Sequence, residues 1–125
     1  MKEFALISAA IFGIVSIVLG AFGAHAFKKV LSSERLSSFE VGVRYQMYMA
    51  LALLWVGSAF EFDSARAHWA VYGLFFGTIL FSGSIYLLSF KDKLPFSLRF
   101  LGPVTPLGGL FMIVGWVMIL LQVIR

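Results

Sequence analysis

Gly20-Ala-Phe-Gly-Ala-His25-Ala-Phe-Lys28-Lys29, then a polar linker, then Glu40-Val-Gly-Val-Arg44-Tyr-Gln46-Met-Tyr48 mark the place where one apolar segment ends and the next begins. Upstream, nothing between Phe4 and Phe27 is charged, and 24 residues at about 1.5 Å rise exceed the roughly 30 Å hydrocarbon layer of a bilayer. The chain has 125 residues, 61% of them hydrophobic and 13% charged, too apolar a balance for a water-soluble domain of this length. Absence of cysteine removes disulfides, thiolate metal sites and thiol nucleophiles. The net charge of +4 is scattered over short loops with no aromatic-interleaved basic stripe, so no nucleic acid is expected. Anionic lipid headgroups suit those cations better.

These patterns predict an all-α, four-helix transmembrane bundle in a single domain, residues 1–125, with helices at about 4–27, 38–60, 67–90 and 105–124. Lys2, the apolar run and Ala24-His25-Ala26 also imitate a signal peptide, but the run is long for one and Glu3 offsets the lysine. Small residues at Ala9, Gly13, Ser16, Gly20 and Gly23 fall on one face of the first helix, where backbones approach closely. Ser37-x-x-Glu40 has the spacing of a capping box and predicts the start of the second helix. Its charge-free part, Tyr45 to Phe60, is shorter than a bilayer, so Glu40 and Arg44 are expected at or inside the interface. Gly73-x-x-x-Gly77 is a close-packing signature, and Thr105-Pro106 is expected to cap the fourth helix. Gly108 and Gly109 weaken that helix and imply a close neighbour.

The loops after the first and third helices hold Lys28, Lys29, Arg35, Arg44, Lys91, Lys93 and Arg99, against Lys2, Arg66 and Arg125 on the other side. The positive-inside rule then predicts a cell-membrane, multi-pass protein with both termini outside and loops 28–37 and 91–100 cytoplasmic. On that topology the polar residues gather in the cytoplasmic half, and His25, Glu40, Arg44, Gln46, Tyr86 and Thr105 are expected to form one hydrogen-bonded cluster. The helix-packing positions are Gly13, Gly20, Gly23, Gly73, Gly77, Gly108 and Gly109.

Leu19-Gly-Ala-Phe-Gly-Ala-His25, Arg44-Tyr-Gln-Met-Tyr48, Phe81-Ser-Gly-Ser-Ile-Tyr86 and Gly102-Pro-Val-Thr-Pro-Leu-Gly-Gly109, ending in Gly115-Trp116, together resemble the YwdK/YgdD-type family of small bacterial membrane proteins, which has vertebrate relatives. The resemblance spans all four helices in order and implies a multi-pass protein with no established activity. The family pattern commonly places His after Gln-Met-Tyr, where this chain has Met49. That departure weakens a two-histidine metal site.

No cofactor and no metal are expected, since His25 has no second ligand at coordinating spacing. No nucleophile with a neighbouring base and no phosphate-binding loop appears, which makes an enzyme the third choice. A structural or accessory membrane protein whose cluster holds a lipid headgroup or a partner's helix is the first. The alternative is a small-solute or proton pathway, built between subunits of a homo-oligomer along the glycine faces.

Overall fold

Helices joined by short connections must return alongside one another, and in the computed structural model, which describes residues 1–124, all four do so. They are α1 (Lys2–His25), α2 (Ser33–Ala59), α3 (Ala65–Ser89) and α4 (Val104–Val123), with 3-10 turns at Phe27–Lys29, Lys91–Lys93 and Arg99–Leu101. Arg125, counted above among the cations of the terminal side, lies outside the described residues. α1, α3 and the segment leading through α4 are long and apolar enough to cross a membrane; α2 is interrupted by Glu34, Arg35, Glu40 and Arg44.

Two helix starts differ from expectation. α2 begins at Ser33, ahead of 38, because Ser32 caps it: its hydroxyl accepts from the Arg35 amide at 3.2 Å, and Glu34 sits in the positive first turn. Ser37 and Glu40 therefore lie inside the helix. α4 begins at Val104 behind Pro103, with no side-chain cap. Thr105 turns its hydroxyl to Ser84 instead, and Pro106 occupies a first-turn position whose N–H would have no intrahelical partner. α3 is capped by Ser64, which accepts from the Ala67 amide at 3.3 Å.

α1 and α2 run antiparallel, since Gly57 faces Ala5 and Leu6 at one end while Gly23 faces Phe39 at the other. α3 and α4 are the most closely apposed pair, and glycines explain why. A Cβ on Gly73 would stand 2.6 Å from the Gly115 nitrogen, and one on Gly77 would stand 2.7 Å from the Met112 nitrogen. One on Gly108 would strike the Phe81 backbone, and Gly115 meets Leu74 in the same way. Lipid gives no hydrophobic drive for helix association, so this backbone approach supplies the dispersion that holds the pair.

Gly42 and Gly57, which the spacing patterns passed over, are as tight: Tyr86 covers the first and Leu6 the second. Gly20 and Gly23 make ordinary contacts with Val43 and Phe39, and Gly109 touches only the Phe81 ring. Nothing lies within 4 Å of a Cβ built at Gly13. Ala5, Leu53, Val56, Ala67, Ala70, Val71 and Leu74 fill the centre with Met112 and Ile119. Ile7, Ile11, Ile14 and Ile17 of α1 and Leu110, Ile113 and Leu120 of α4 point outward, where hydrocarbon is their solvent.

Gly108→Ala should lower the melting temperature in detergent, by the equivalent of about 1–3 kcal/mol of overpacking. Gly13→Ala should leave it unchanged or raise it, because alanine is the better helix former. Equal losses at both positions would contradict the α3–α4 packing.

Candidate functional site

The C-terminal end of α1, the start of α2, the end of α3 and the start of α4 meet at one end of the bundle, and most of the interhelical polar contacts lie toward it. Gln46, on the inner face of α2, is buried. Its Nε2 donates to the Phe12 carbonyl of α1 at 2.9 Å, and its Oε1 accepts from the Tyr86 hydroxyl of α3 at 2.7 Å. One amide thus joins three helices. Ser82 donates across to the Gly42 carbonyl at 2.7 Å, and Ser84 pairs with Thr105 to tie α3 to α4.

Backbone carbonyls inside helices rarely accept from other helices, and here the glycines permit it. Without a Cβ at Gly42, the Tyr86 ring lies directly over α2, and Ser82, one turn earlier on α3, comes within reach of the Gly42 carbonyl. Ser16, buried on α1, has no hydrogen-bond partner among the described residues. The carbonyl one turn behind it is that of Phe12, which Gln46 uses.

Toward the connections an aromatic cluster closes the end. Phe27 meets Phe39 and Phe90 edge-on at centroid distances of 5.2 and 5.0 Å, and Phe39 packs against Tyr86 at 5.0 Å. The Phe39 ring also rests against Gly23 of α1 at ordinary contact distance. Outside this cluster Arg35, in the first turn of α2, and Asp92, in the connection after α3, form an ion pair at 3.4 Å, in contact with water and so worth about 0–1 kcal/mol.

The six residues grouped from the sequence therefore separate. Gln46 and Tyr86 are bonded to each other, and Thr105 belongs to a neighbouring pair with Ser84. His25, Glu40 and Arg44 are exposed, and no hydrogen bond or ion pair joins them to the other three. The single cluster does not form, because equal depth in the membrane does not put residues on one side of a helix. Gln46 follows Arg44 by two residues, about 200° around α2, so when one faces the core the other faces out. Glu40 and Arg44 share the outer face and border an open groove of about 230 Å³ against Gly20 and Gly23 of α1.

Sequence reasoning also missed Ser82, Ser84 and the aromatic cluster. A serine in an apolar helix can bond a carbonyl one turn back, as Thr78 does to Leu74 at 2.6 Å and as Ser84 also does to Phe81 at 3.0 Å, so the chain gives no sign of a contact across helices. The opposite end is less plain than expected. Ser64 donates to Gln122 at 2.9 Å, Arg66 donates to the Leu121 carbonyl at 2.7 Å, and His68 Nδ1 donates to the Ser64 carbonyl at 3.0 Å. The Arg66 contact satisfies a carbonyl at the negative end of α4. Among the described residues no three His, Cys, Asp or Glu side chains gather at metal-binding distance.

Four packed helices, apolar on the outside and hydrogen-bonded within, define a multi-pass α-helical membrane protein. The chain belongs to the family described as "Protein of unknown function (DUF423)", whose pattern matches residues 19–109. It is 38% identical over 125 residues to a UPF0382 membrane protein of Staphylococcus haemolyticus, covering 100% of this chain and 98% of that one. It is 37% identical over 125 residues to the UPF0382 inner membrane protein YgdD of Escherichia coli K12, covering 99% of this chain and 92% of that one. The resemblance to the YgdD-type family is thus shown over the whole length. No solved structure matches the chain.

Tyr86→Phe should cost about 1 kcal/mol, and Gln46→Leu more, because it leaves the Tyr86 hydroxyl and one α1 contact without a partner. The double variant should fall short of the sum of the two by about 0.5–1.5 kcal/mol when unfolding is followed in detergent. Strict additivity would mean that the two side chains do not meet.

Proposed function

We propose that this protein is a structural or accessory component of the cell membrane, with both termini outside, loops 28–37 and 91–100 in the cytoplasm, and a basic collar that holds anionic lipid headgroups. The observation that carries the reading is how the interior polar groups are spent. Gln46, Tyr86, Ser82, Ser84 and Thr105 bond to one another or to neighbouring backbone, tying helices together. Between that layer and the Ser64–Gln122 end lie Leu53, Val56, Val71, Leu74 and Met112, an apolar plug in which the buried polar side chains among the described residues are Ser8 and Thr78, the latter bonded to its own helix, too few to relay an ion or a solute. A pathway through one protomer finds no support in such an interior.

The collar consists of Lys28, Lys29, Lys91, Lys93 and Arg99, all exposed at the end where the connections meet. Cations there are each worth about 1 kcal/mol against an anionic leaflet, and their excess over the other end is what supports the sidedness. Arg35, half-buried and paired with Asp92, is less available to lipid.

A periplasmic-type reporter fused after Arg125 should be active and a cytoplasmic reporter silent; the reverse pattern would invert the orientation. In native mass spectrometry, anionic phospholipid should be retained by the unaltered protein and lost when Lys28, Lys29, Lys91 and Lys93 are changed to Gln. Retention indifferent to those changes would remove the lipid role.

A further inference from the structure

The outward face of α2 does not suit lipid. Glu40, Arg44, Tyr48, Leu51 and Trp55 follow one another at steps of four, four, three and four, which stacks them in a single stripe. All five are exposed, Tyr48 by 53%, Leu51 by 58% and Trp55 by 49%. The outward residues of α1 are aliphatic over the same depth, as Ile7, Ile11, Ile14 and Ile17 show, and those of α4 include Leu110, Ile113 and Leu120. Among the described residues, α2 carries an acid and a base in the lipid-facing position together with two polar-tipped aromatics; α3 exposes Arg66, Trp69 and Tyr72 but carries no acid, and α4 exposes Trp116 without a charge.

Depth makes this costly. Counted back from Ala59 at about 1.5 Å per residue, a hydrocarbon layer of roughly 30 Å ends near Glu40 and leaves Arg44 about 6 Å inside it. At that depth the Arg44 guanidinium either snorkels back to the headgroups or takes an acidic partner, and the partner avoids stretching the side chain along the helix. Yet the ion pair found among the described residues is Arg35 with Asp92, and Glu40 and Arg44, one turn apart, do not bond to each other. Most of the small-residue positions that could bring copies together are already used, Gly13 excepted, and the open groove between Trp69, Tyr72 and Phe76 of α3 and Leu110 of α4 carries no charge to pair. Gly73 and Gly77 are filled by α4, and Ala9, Ser16, Gly20 and Gly23 of α1 are turned inward or against α2.

We propose that the Glu40–Arg44–Tyr48–Leu51–Trp55 face of α2 is an interface with a second copy of this chain, in a two-fold dimer whose axis lies along the membrane normal. Both copies share one orientation in the bilayer, so their α2 helices run parallel and the same face meets itself. Side chains on a helix lean toward its N-terminus, which carries the Arg44 guanidinium toward the level of the partner's Glu40. The two-fold repeats the contact, giving two reciprocal ion pairs at the charged end. Leu51 packs near the axis below them, and Tyr48 and Trp55 flank it. Beside the stripe, an open groove lined by Tyr48, Leu51 and Trp55 of α2 and Trp116 and Ile119 of α4 offers about 540 Å³ for the partner's aromatic rings.

The chain has no cysteine, so single introduced thiols report on this face cleanly. In native membranes under mild oxidation, Leu51→Cys should form a disulfide dimer, while Ile14→Cys on α1 and Ile113→Cys on α4 should not. In the Leu51→Cys background, Glu40→Arg or Arg44→Glu alone should cut the cross-linked fraction by about tenfold, on the scale of one interhelical polar contact in lipid. The exchange of both charges should restore it, a rescue that separates lost pairing from misfolding. Equal cross-linking at all three cysteine positions would overturn the proposal, as would its absence at Leu51 or loss that the charge exchange fails to rescue. These outcomes are independent of lipid retention by the lysine collar, so either role can fail alone.

Discussion

A bilayer offers no hydrogen bonds in its interior, and a buried amide there must find every partner inside the protein. Gln46 meets that constraint by joining the Phe12 carbonyl on α1 to the Tyr86 hydroxyl on α3. The rest of the inner end follows from it. Tyr86 must lie over α2, so Gly42 has to be bare; with Gly42 bare, Ser82 reaches its carbonyl. The ring of Tyr86 then forms one wall of the aromatic cluster with Phe39, Phe27 and Phe90.

The α3–α4 pair solves a second problem by a different means. Its contact is largely backbone on backbone, through Gly73 and Gly77 on one side and Gly108 and Gly115 on the other. Polar anchors close both ends of this seam: Ser84 with Thr105, and Ser64 and Arg66 with Gln122 and the Leu121 carbonyl. A seam pinned at both ends has little freedom to slide, which fixes the height of Thr105 beside α3. α1 relies less on polar anchoring, and its Phe12 ring stacks on Phe75 of α3 at 5.5 Å while Phe4 meets the same ring at 4.8 Å.

Hydropathy made the apolar helices legible, and Gly73-x-x-x-Gly77 marked a close-packing face without saying which helix fills it. Grouping residues by depth brought Gln46 and Tyr86 together but also swept in His25, Glu40 and Arg44, which share their height and face another way. Depth comes from counting residues; azimuth depends on which face of α2 is buried, and that helix carries charges early and apolar residues late. A wheel centred on Gly42, Gln46, Met49 and Leu53 would have placed Arg44 outside. The helix starts were misplaced for a local reason, since several serines stand within reach of α2 and only the backbone turn at Ser32 selects one. The serine contacts across helices left no sequence signal, because a serine that bonds its own helix looks the same in the chain.

The bridge at Gln46 can be observed directly in a bilayer by solid-state NMR. With 15N in the Gln46 side chain and 13C in the Phe12 carbonyl, the account predicts a strong dipolar coupling between them and slow exchange of the amide protons with deuterated water. Absence of that coupling, together with rapid exchange, would show that Gln46 faces solvent and that the three helices are not held as described.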